Sequence, residues 1–575
     1  MQVGSVIPPP QTSKALAASL LEDCNTLLSE LTFLQSHLAA IDKPNAVELR
    51  QFKSFVQSEL KSLKKLAELA AKTNTPVDAR PADEDDDEAG QDEAEIRVLH
   101  SLRSSNLPFY SSVWSVGKST CTGLVAFSKR FYWYKFKSTA SYSFRGDMTE
   151  GSVTPTSTMD LERSIPGLHV SADAQKAVEE NLNKAGLQKR SVLVDIVADN
   201  GEEWVKVSTV TPSRLLFELA KRGWEMGYDS TSEDGEEHEA GAFRLQNEDD
   251  ASDDEDEDAI ELVRLATDMK KAAALVRVRY KHPRIRFVLP KIVEGKIPEV
   301  DAIVKDIRKT GVTVECSTDA QEEIKLPAAG TEKDTRQNQL KTMENLLPTL
   351  LPNPHPHMTP TLNVDCTLLL ALVSDLSHFH SIDPSSGHHP AIVRQIELEA
   401  KQPLVSSELW PAMGDRQLVC TEEAAKRMYE IVETIGTASE KKRTKLMMGE
   451  SDIIFDREDL ISQFQALSDH KVPLDWKIPI RMVNAHTEIE RGWEDGGLPP
   501  VARKIASQLS DINTSVFLYG WATNLMTISS NRTVAKQIEV LIEENRNGDD
   551  DLAGPLVWVC DTARSLVGKD SNRKA

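Results

Sequence analysis

The sequence lacks most of the features that would place it at sight. Its six cysteines are scattered over 575 residues, and no two stand in a C-x-x-C spacing. That excludes a zinc ribbon and a dense disulfide framework. Reduced thiols, as in the cytoplasm or nucleus, are the expectation. No run of about 18 apolar residues occurs, so neither a transmembrane helix nor a membrane partner is expected. The first ten residues carry no basic region and no apolar core, unlike a secretory signal. Basic residues are also short, 67 against 90 acidic ones, for a net charge of −23.

That deficit is local. Asp83–Glu95 holds nine acids and no base, and Asp229–Asp258 holds fifteen acids against the single Arg244. These two segments carry the whole excess. Like-charge runs of this kind are expected to be solvated, disordered insertions, with a phosphorylated or nucleic-acid-mimicking tract as the alternative. The rest of the chain is neutral by count, so a low overall pI does not argue against nucleic-acid binding by the folded parts.

Leucines and phenylalanines recur at helical spacing from Lys14 to Ala71, with Pro44 between two stripes, which predicts a helical hairpin over residues 1–72. An acidic linker over 73–95 follows. Helical pattern resumes near Ile96. From Phe127 to Phe136, six aromatics alternate with Lys129, Arg130 and Lys135. Such a cluster could stack on single-stranded nucleic acid, but rings entering a core with their bases at the surface are the better expectation. Residues 138–166 read as loop and Ala172–Ala185 as helix. Two β-branched runs flank Asp199-Asn200-Gly201, the clearest hairpin signal in the chain. Asp195 and Lys206 fall on its two strands, without the acid-x-lysine spacing of a nuclease. Pro212–Gly223 and Ile260–Leu275 predict helices. Arg284–Leu289, Pro298–Lys309 and Val312–Cys316 predict a strand–helix–strand unit with parallel strands. The α/β region thus spans 96–316, with its insertion at 229–258. The polar, proline-rich stretch 317–360 reads as a linker.

From Thr361 to about residue 570 helix and strand patterns alternate, as in a sheet covered on both faces. Leu362–Val364 reads as a short buried strand, Ser515–Tyr519 and Leu556–Cys560 as others. Thr421–Ile435, Asp459–Ser468, Pro500–Leu509 and Val534–Glu544 read as helices. Asp365 stands at the end of the first strand, where open α/β sheets bind ligands. It suits two roles there, the N-cap of the helix beginning at Cys366 or a ligand to a metal ion. Histidines gather at His355, His357, His378, His380, His388 and His389. A zinc site is conceivable, but without matching cysteine or acid spacing, proline-flanked loop histidines are the expectation.

The segments Leu102–Leu107, Leu193–Lys206, His282–Phe287, Leu362–Thr367, Thr421–Glu423 and Phe517–Gly520 occur in the order seen in a eukaryotic family called domain of unknown function 1308, or UPF family, and the chain resembles it over most of its length. The resemblance implies a PIN-like (PilT N-terminus) three-layer α/β/α domain with a parallel sheet over 361–570, following the helical hairpin and the α/β region. In PIN nucleases an apolar strand ends in an acid, and further acids follow at a later helix start and after a later strand. The resemblance carries these roles to Asp365, with Thr367 beside it, and to Glu422. Thr523 and Asn524 stand where relatives carry Gly-Asp. Asp561, Glu488 and Glu490 are candidate substitutes for the missing acid.

Such acids would gather Mg²⁺ or Mn²⁺, hard cations that prefer oxygen ligands, with Asp365, Glu422, Thr523 and Asp561 as the candidate set. The implied activity is metal-dependent cleavage of RNA or other single-stranded nucleic acid. The alternative is a degenerate PIN-like scaffold that binds RNA, or a protein partner through the N-terminal helices or acidic segments.

Overall fold

The two apolar stripes near the N-terminus fold as long paired helices, α1 (Ser13–Ala40) and α2 (Arg50–Thr73). Leu27, Leu31 and Leu34 of α1 meet Phe52, Val56 and Leu63 of α2 in a buried seam. The protein is seen here as a computed structural model that describes residues 12–41, 43–73, 88–136, 187–226, 260–317, 332–382, 389–449, 456–560, 562 and 564–567. It divides into two units, Met1–Val278 with His282–Pro352, and Arg279–Lys281 with Asn353–Ala575. Helix 172–185, loop 138–166 and the acidic insertion 229–258 lie outside the described residues.

In the first unit, α3 (Glu88–Arg103) and α4 (Leu107–Thr120) lead into a five-stranded sheet. Its strands are β1 (Ala126–Phe136), β2 (Leu187–Ala198), β3 (Glu203–Val207), β4 (Arg284–Val293) and β5 (Thr313–Ser317), in that spatial order. The first three are antiparallel, while β3, β4 and β5 run parallel. Helices α5 (Pro212–Met226), α6 (Glu261–Ala273) and α7 (Pro298–Lys309) fill the connections, as their apolar periodicity predicts. The β2–β3 hairpin turns through Asp199, Asn200 and Gly201, all at positive φ. Asn, Asp and Gly tolerate that region best.

The aromatic cluster is strand β1. Phe127 and Trp133 are buried, and Phe131 stacks on Trp204 with ring centroids 3.8 Å apart, so these rings are core material. Asp195 and Lys206 meet across β2 and β3 at 3.0 Å, and the second carboxylate oxygen of Asp195 accepts from the Val207 amide at 2.8 Å. Burial pushes the Asp195 pKa up, against the pull of Lys206 and that amide. The pair closes the hairpin where the strand ladder ends, a structural use of both groups.

The stretch 317–360, read as a linker, contains helix α8 (Glu332–Leu350). Met343, Leu347 and Leu350 are buried in the core of the first unit. Sparse apolar residues and Pro348 hid this helix, since its stability comes from a few well-placed contacts rather than from a continuous stripe.

The second unit is a parallel sheet flanked by helices. In chain order its elements are β6 (Thr361–Val364), α9 (Cys366–Val373), α10 (Pro390–Lys401), β7 (Gln417–Thr421), α11 (Glu422–Ile435), α12 (Ala438–Met448), α13 (Arg457–Gln465), β8 (Arg481–Val483), α14 (Ala485–Glu494), α15 (Asp511–Ala522), β9 (Met526–Ser529), α16 (Arg532–Glu544) and β10 (Val557–Val559). Short helical turns at 375–378, 405–409, 410–413 and 501–506 complete it. All five strands are parallel, in the order β10-β9-β6-β7-β8. Mixed α/β architecture with a parallel sheet is therefore as expected. Among the described residues no helix is long and apolar enough to cross a membrane.

One expected strand is a helix. Ser515–Tyr519 lies inside α15, whose N-cap Ser510 accepts from the Asn513 amide. Residues 515–520 are all buried. A helix buried on every side shows no amphipathic period, so a short apolar run of this kind reads equally well as a strand. The strand that belongs in the sheet is β9, a few residues later.

Helix α15 lies against β6, β7 and β9 because it has Gly520 at the contact. A Cβ there would come within 2.1 Å of the Thr527 hydroxyl oxygen. Gly520→Ala is expected to cost about 1–3 kcal/mol through overpacking, read as a lower urea midpoint at unchanged m. Adding Thr527→Ala should recover part of that loss.

Candidate functional site

In an open parallel sheet the crevice for ligands lies beyond the carboxyl ends of the strands, where the strand order reverses. Here the chain proceeds from β6 to β7 to β8 in one direction, then returns to the other side of β6 with β9 and β10. The switch point lies between β6 and β9. Asp365 closes the first of these strands and Ser529 the second.

The two strands place these residues together by register. Leu362, Asn363 and Val364 pair with Met526, Thr527 and Ile528, and the Asp365 amide donates to Ile528 O at 3.0 Å. Asp365 is 2% exposed. Its Oδ2 accepts from the Ser529 hydroxyl at 2.6 Å and the Thr367 hydroxyl at 2.7 Å. The Thr367 hydroxyl in turn accepts from the Ser530 amide at 3.3 Å, and Ser529 Oγ accepts from the Asn531 amide at 2.9 Å. Asp365 thus occupies the N-cap position of α9, with extended backbone, while Oδ2 is held by hydroxyls from two elements.

Burial pushes the Asp365 pKa above the ordinary carboxylate range; the two hydroxyls and the amides of Cys366 and Thr367 offset this only in part. Among the described residues no Lys or Arg pairs with it. One position along, burial pushes the Cys366 thiol up to about 12, with the Asp365 carboxylate acting in the same direction and Arg427 against it.

Glu422 begins α11 directly after β7. Asn363 pairs with Val419, so Asp365 lies level with Thr421, and Glu422 follows one residue beyond. Parallel neighbours are about 4.8 Å apart, which brings Asp365 and Glu422 to the same edge of adjacent strands. Thr421 is the N-cap of α11, as expected, and its hydroxyl accepts from the Ala424 amide. Glu422 is exposed, and the Asn484 side-chain amide reaches its Oε2 at 3.4 Å.

Thr523 does not join them. It caps the C-terminus of α15, with its hydroxyl donating to Tyr519 O at 2.6 Å. That is the opposite end of β9 from Ser529, roughly one strand length of about 13 Å away. Asn524 follows it at positive φ and is likewise remote from the site. The misplaced strand caused this: with β9 at Met526–Ser529, the position after the strand belongs to Ser529 and Ser530. The signal was present as Ser-Ser-Asn before a helix, an N-cap pattern. Asp561 lies outside the described residues. Glu488 pairs with Arg491 at 2.9 Å, and Glu490 is exposed on α14.

Among the described residues no group of three or more His, Cys, Asp or Glu side chains could hold a metal ion. Asp365 and Glu422 are two carboxylates flanked by the Thr367 and Ser529 hydroxyls. Such an oxygen set fits Mg²⁺ as it is commonly held, by one or two carboxylates completed by water and substrate phosphate, better than an all-protein cage.

The unit is thus a parallel α/β domain with a desolvated carboxylate at its switch point. Residues 362–473 match the sequence profile of a family described as "Protein of unknown function (DUF1308)". The match supports the resemblance to that family over a stretch that includes Asp365 and Glu422. No curated protein and no solved structure matches the chain.

The raised pKa of Asp365 has a signed consequence. The folded state holds this proton more tightly than the unfolded chain, so the contribution to stability is full below the ordinary value of 3.8 and falls as pH rises through the raised folded pKa. Asp365→Asn removes the desolvated charge. In metal-free buffer at pH 7 its thermal midpoint should exceed that of the wild type, and the difference should shrink as the pH is lowered toward 4.

Proposed function

We propose that the C-terminal unit is a PIN-like domain that engages RNA or single-stranded nucleic acid at the switch-point edge and cleaves its phosphodiester backbone with the help of Mg²⁺ or Mn²⁺. The observation that carries this reading is the burial of Asp365 among uncharged donors. A desolvated carboxylate is costly without a counter-charge, and a bound divalent cation would supply one.

In this reading Asp365 is the principal ligand. The hydroxyls of Thr367 and Ser529 fix its orientation through Oδ2, which spares the site from reorganising when substrate arrives. Glu422, exposed and one strand over, is the second ligand on the solvent side, steadied by Asn484. A bound divalent cation would supply Lewis acidity at the phosphoryl oxygen and lower the pKa of an attacking water.

A specific observation favours a second reading, a scaffold that binds without cutting. No third carboxylate joins Asp365 and Glu422 among the described residues, and β9 ends in Ser529 rather than an acid. Fewer charges mean weaker metal affinity and weaker stabilisation of the phosphoryl oxygens. An RNA or protein partner would then be retained at the same edge.

The test is cleavage of labelled single-stranded RNA and DNA by the full chain in Mn²⁺ or Mg²⁺, with anisotropy to follow binding. Mn²⁺-dependent cleavage should fall about 10²-fold or more in Asp365→Asn and to a lesser degree in Glu422→Gln. Equal cleavage by wild type and Asp365→Asn would remove the catalytic reading. Binding without cleavage in either protein would select the scaffold.

A further inference from the structure

The histidines that the sequence gathers around residue 380 have a partner it did not indicate. His378 ends the short helical turn 375–378 and leads into Phe379 and His380, and Ser468-Asp469-His470 follows α13. Two hydrogen bonds, one between backbones and one from backbone to carboxylate, hold them side by side: the Asp469 amide donates to His378 O at 2.8 Å, and the His380 amide donates to Asp469 Oδ2 at 2.9 Å. The second segment is braced from behind. Arg443, fully buried on α12, donates to Leu467 O from Nε and Nη2 at 2.9 and 2.7 Å. The Gln465 side chain donates to Ser468 O and His470 O, each at 3.0 Å, and accepts from the Val472 amide at 2.9 Å.

Within this frame the three imidazoles differ in use. His378 is fully buried, with Nδ1 against Ser468 Oγ and Nε2 against Leu372 O. Burial and Arg443 push its pKa down to about 3, so it is a neutral structural ring. His380 is exposed. His470 is 8% exposed, and its Nε2 is buried with no hydrogen-bond partner. A buried ring nitrogen left unpaired is uncommon and calls for a ligand or a water. The His380 and His470 rings lie 4.6 Å apart between centroids, at 89° to one another. Two imidazoles on one tetrahedral ion, with metal–nitrogen bonds of about 2.0–2.1 Å, place their ring centres about 5 Å apart.

We propose that His380 and His470 form an open, two-imidazole site for a divalent transition metal of the zinc class, its remaining positions left to water or to a partner's side chain. Asp469 does not complete a cage: among the described residues no group of three or more His, Cys, Asp or Glu side chains could hold a metal ion. Imidazole ligands favour Zn²⁺, Cu²⁺ or Ni²⁺ over Mg²⁺, so this site and the switch-point carboxylates would sort different ions. The proposal is independent of any nuclease activity.

The test uses the untagged full chain, stripped with chelator and titrated with Co²⁺ while the visible d–d bands are recorded, then with competing Zn²⁺. His380→Ala removes an exposed ligand with little risk to folding, and circular dichroism checks that. The wild type should show a Zn²⁺-displaceable Co²⁺ spectrum that weakens about tenfold or more in affinity in His380→Ala and persists in Asp365→Asn. Equal Co²⁺ binding by wild type and His380→Ala would overturn the site. So would loss of the spectrum in Asp365→Asn alone.

Discussion

The second unit depends on one polar side chain in the middle of an apolar sheet. Asn363 of β6 is fully buried and donates from Nδ2 to Val516 O of α15 at 2.8 Å and to Thr527 Oγ1 of β9 at 3.0 Å. Its donor end is paired and orders its surroundings, while its Oδ1 is buried without a hydrogen-bond partner among the described residues. It fixes α15 over the sheet and β9 beside β6 in a single register. A slip of one residue would turn Thr527 away from Asn363 and Ser529 away from Asp365, because side chains alternate between faces. The cost of burying Asn363 is thus tied to the placement of the candidate site two residues further along.

A second buried polar assembly holds the far side of the unit. Arg443 donates to Asp375 Oδ1 at 2.7 Å and to Val373 O at 2.9 Å. Glu440, on the same helix, accepts the amides of Asp375 and Val567. Burial raises the Glu440 pKa and lowers that of Arg443, with Asp375 pulling the latter back. These groups tie the end of α9 to α12 and to residues near the C-terminus. Rigidity at both ends of α9 is what lets a short, eight-residue helix carry Asp365 at its start.

Much of this architecture was legible in the sequence because local and tertiary preferences agree there. The hairpin at Asp199–Gly201, the α1–α2 stripes and the β4–α7–β5 unit each have a period or turn chemistry that only one structure satisfies. Asp365 was legible for a similar reason: an acid that interrupts an apolar strand–helix run is conspicuous. What failed was written in contacts between distant segments. Residues 515–520 look like a strand because α15 is enclosed on all sides, and α8 looks like a linker because its burial comes from a few residues. Ser529 was invisible as a site residue until β9 had been placed. His470 has no local signature, and its relation to His380 arises from the Asp469 bonds to residues 378 and 380, with Gln465 and Arg443 bracing the segment behind.

The hydrogen bond between Ser529 and Asp365 joins residues 164 positions apart in the chain. Closing so long a loop costs entropy before any contact repays it, so pairing of this sort is intrinsically late. During synthesis β6, α9, β7 and α11 emerge well before β9, and in that interval β6 has one unsatisfied edge beside a carboxylate. The stretch that matches the family profile ends at residue 473, before β8 and β9 have been made. Excised at those limits, it would keep both candidate acids but lose the strand that covers β6 and orients Asp365. Such a fragment would expose an open strand edge to its neighbours. The minimal unit able to display the switch point therefore extends beyond the matched stretch to include β9.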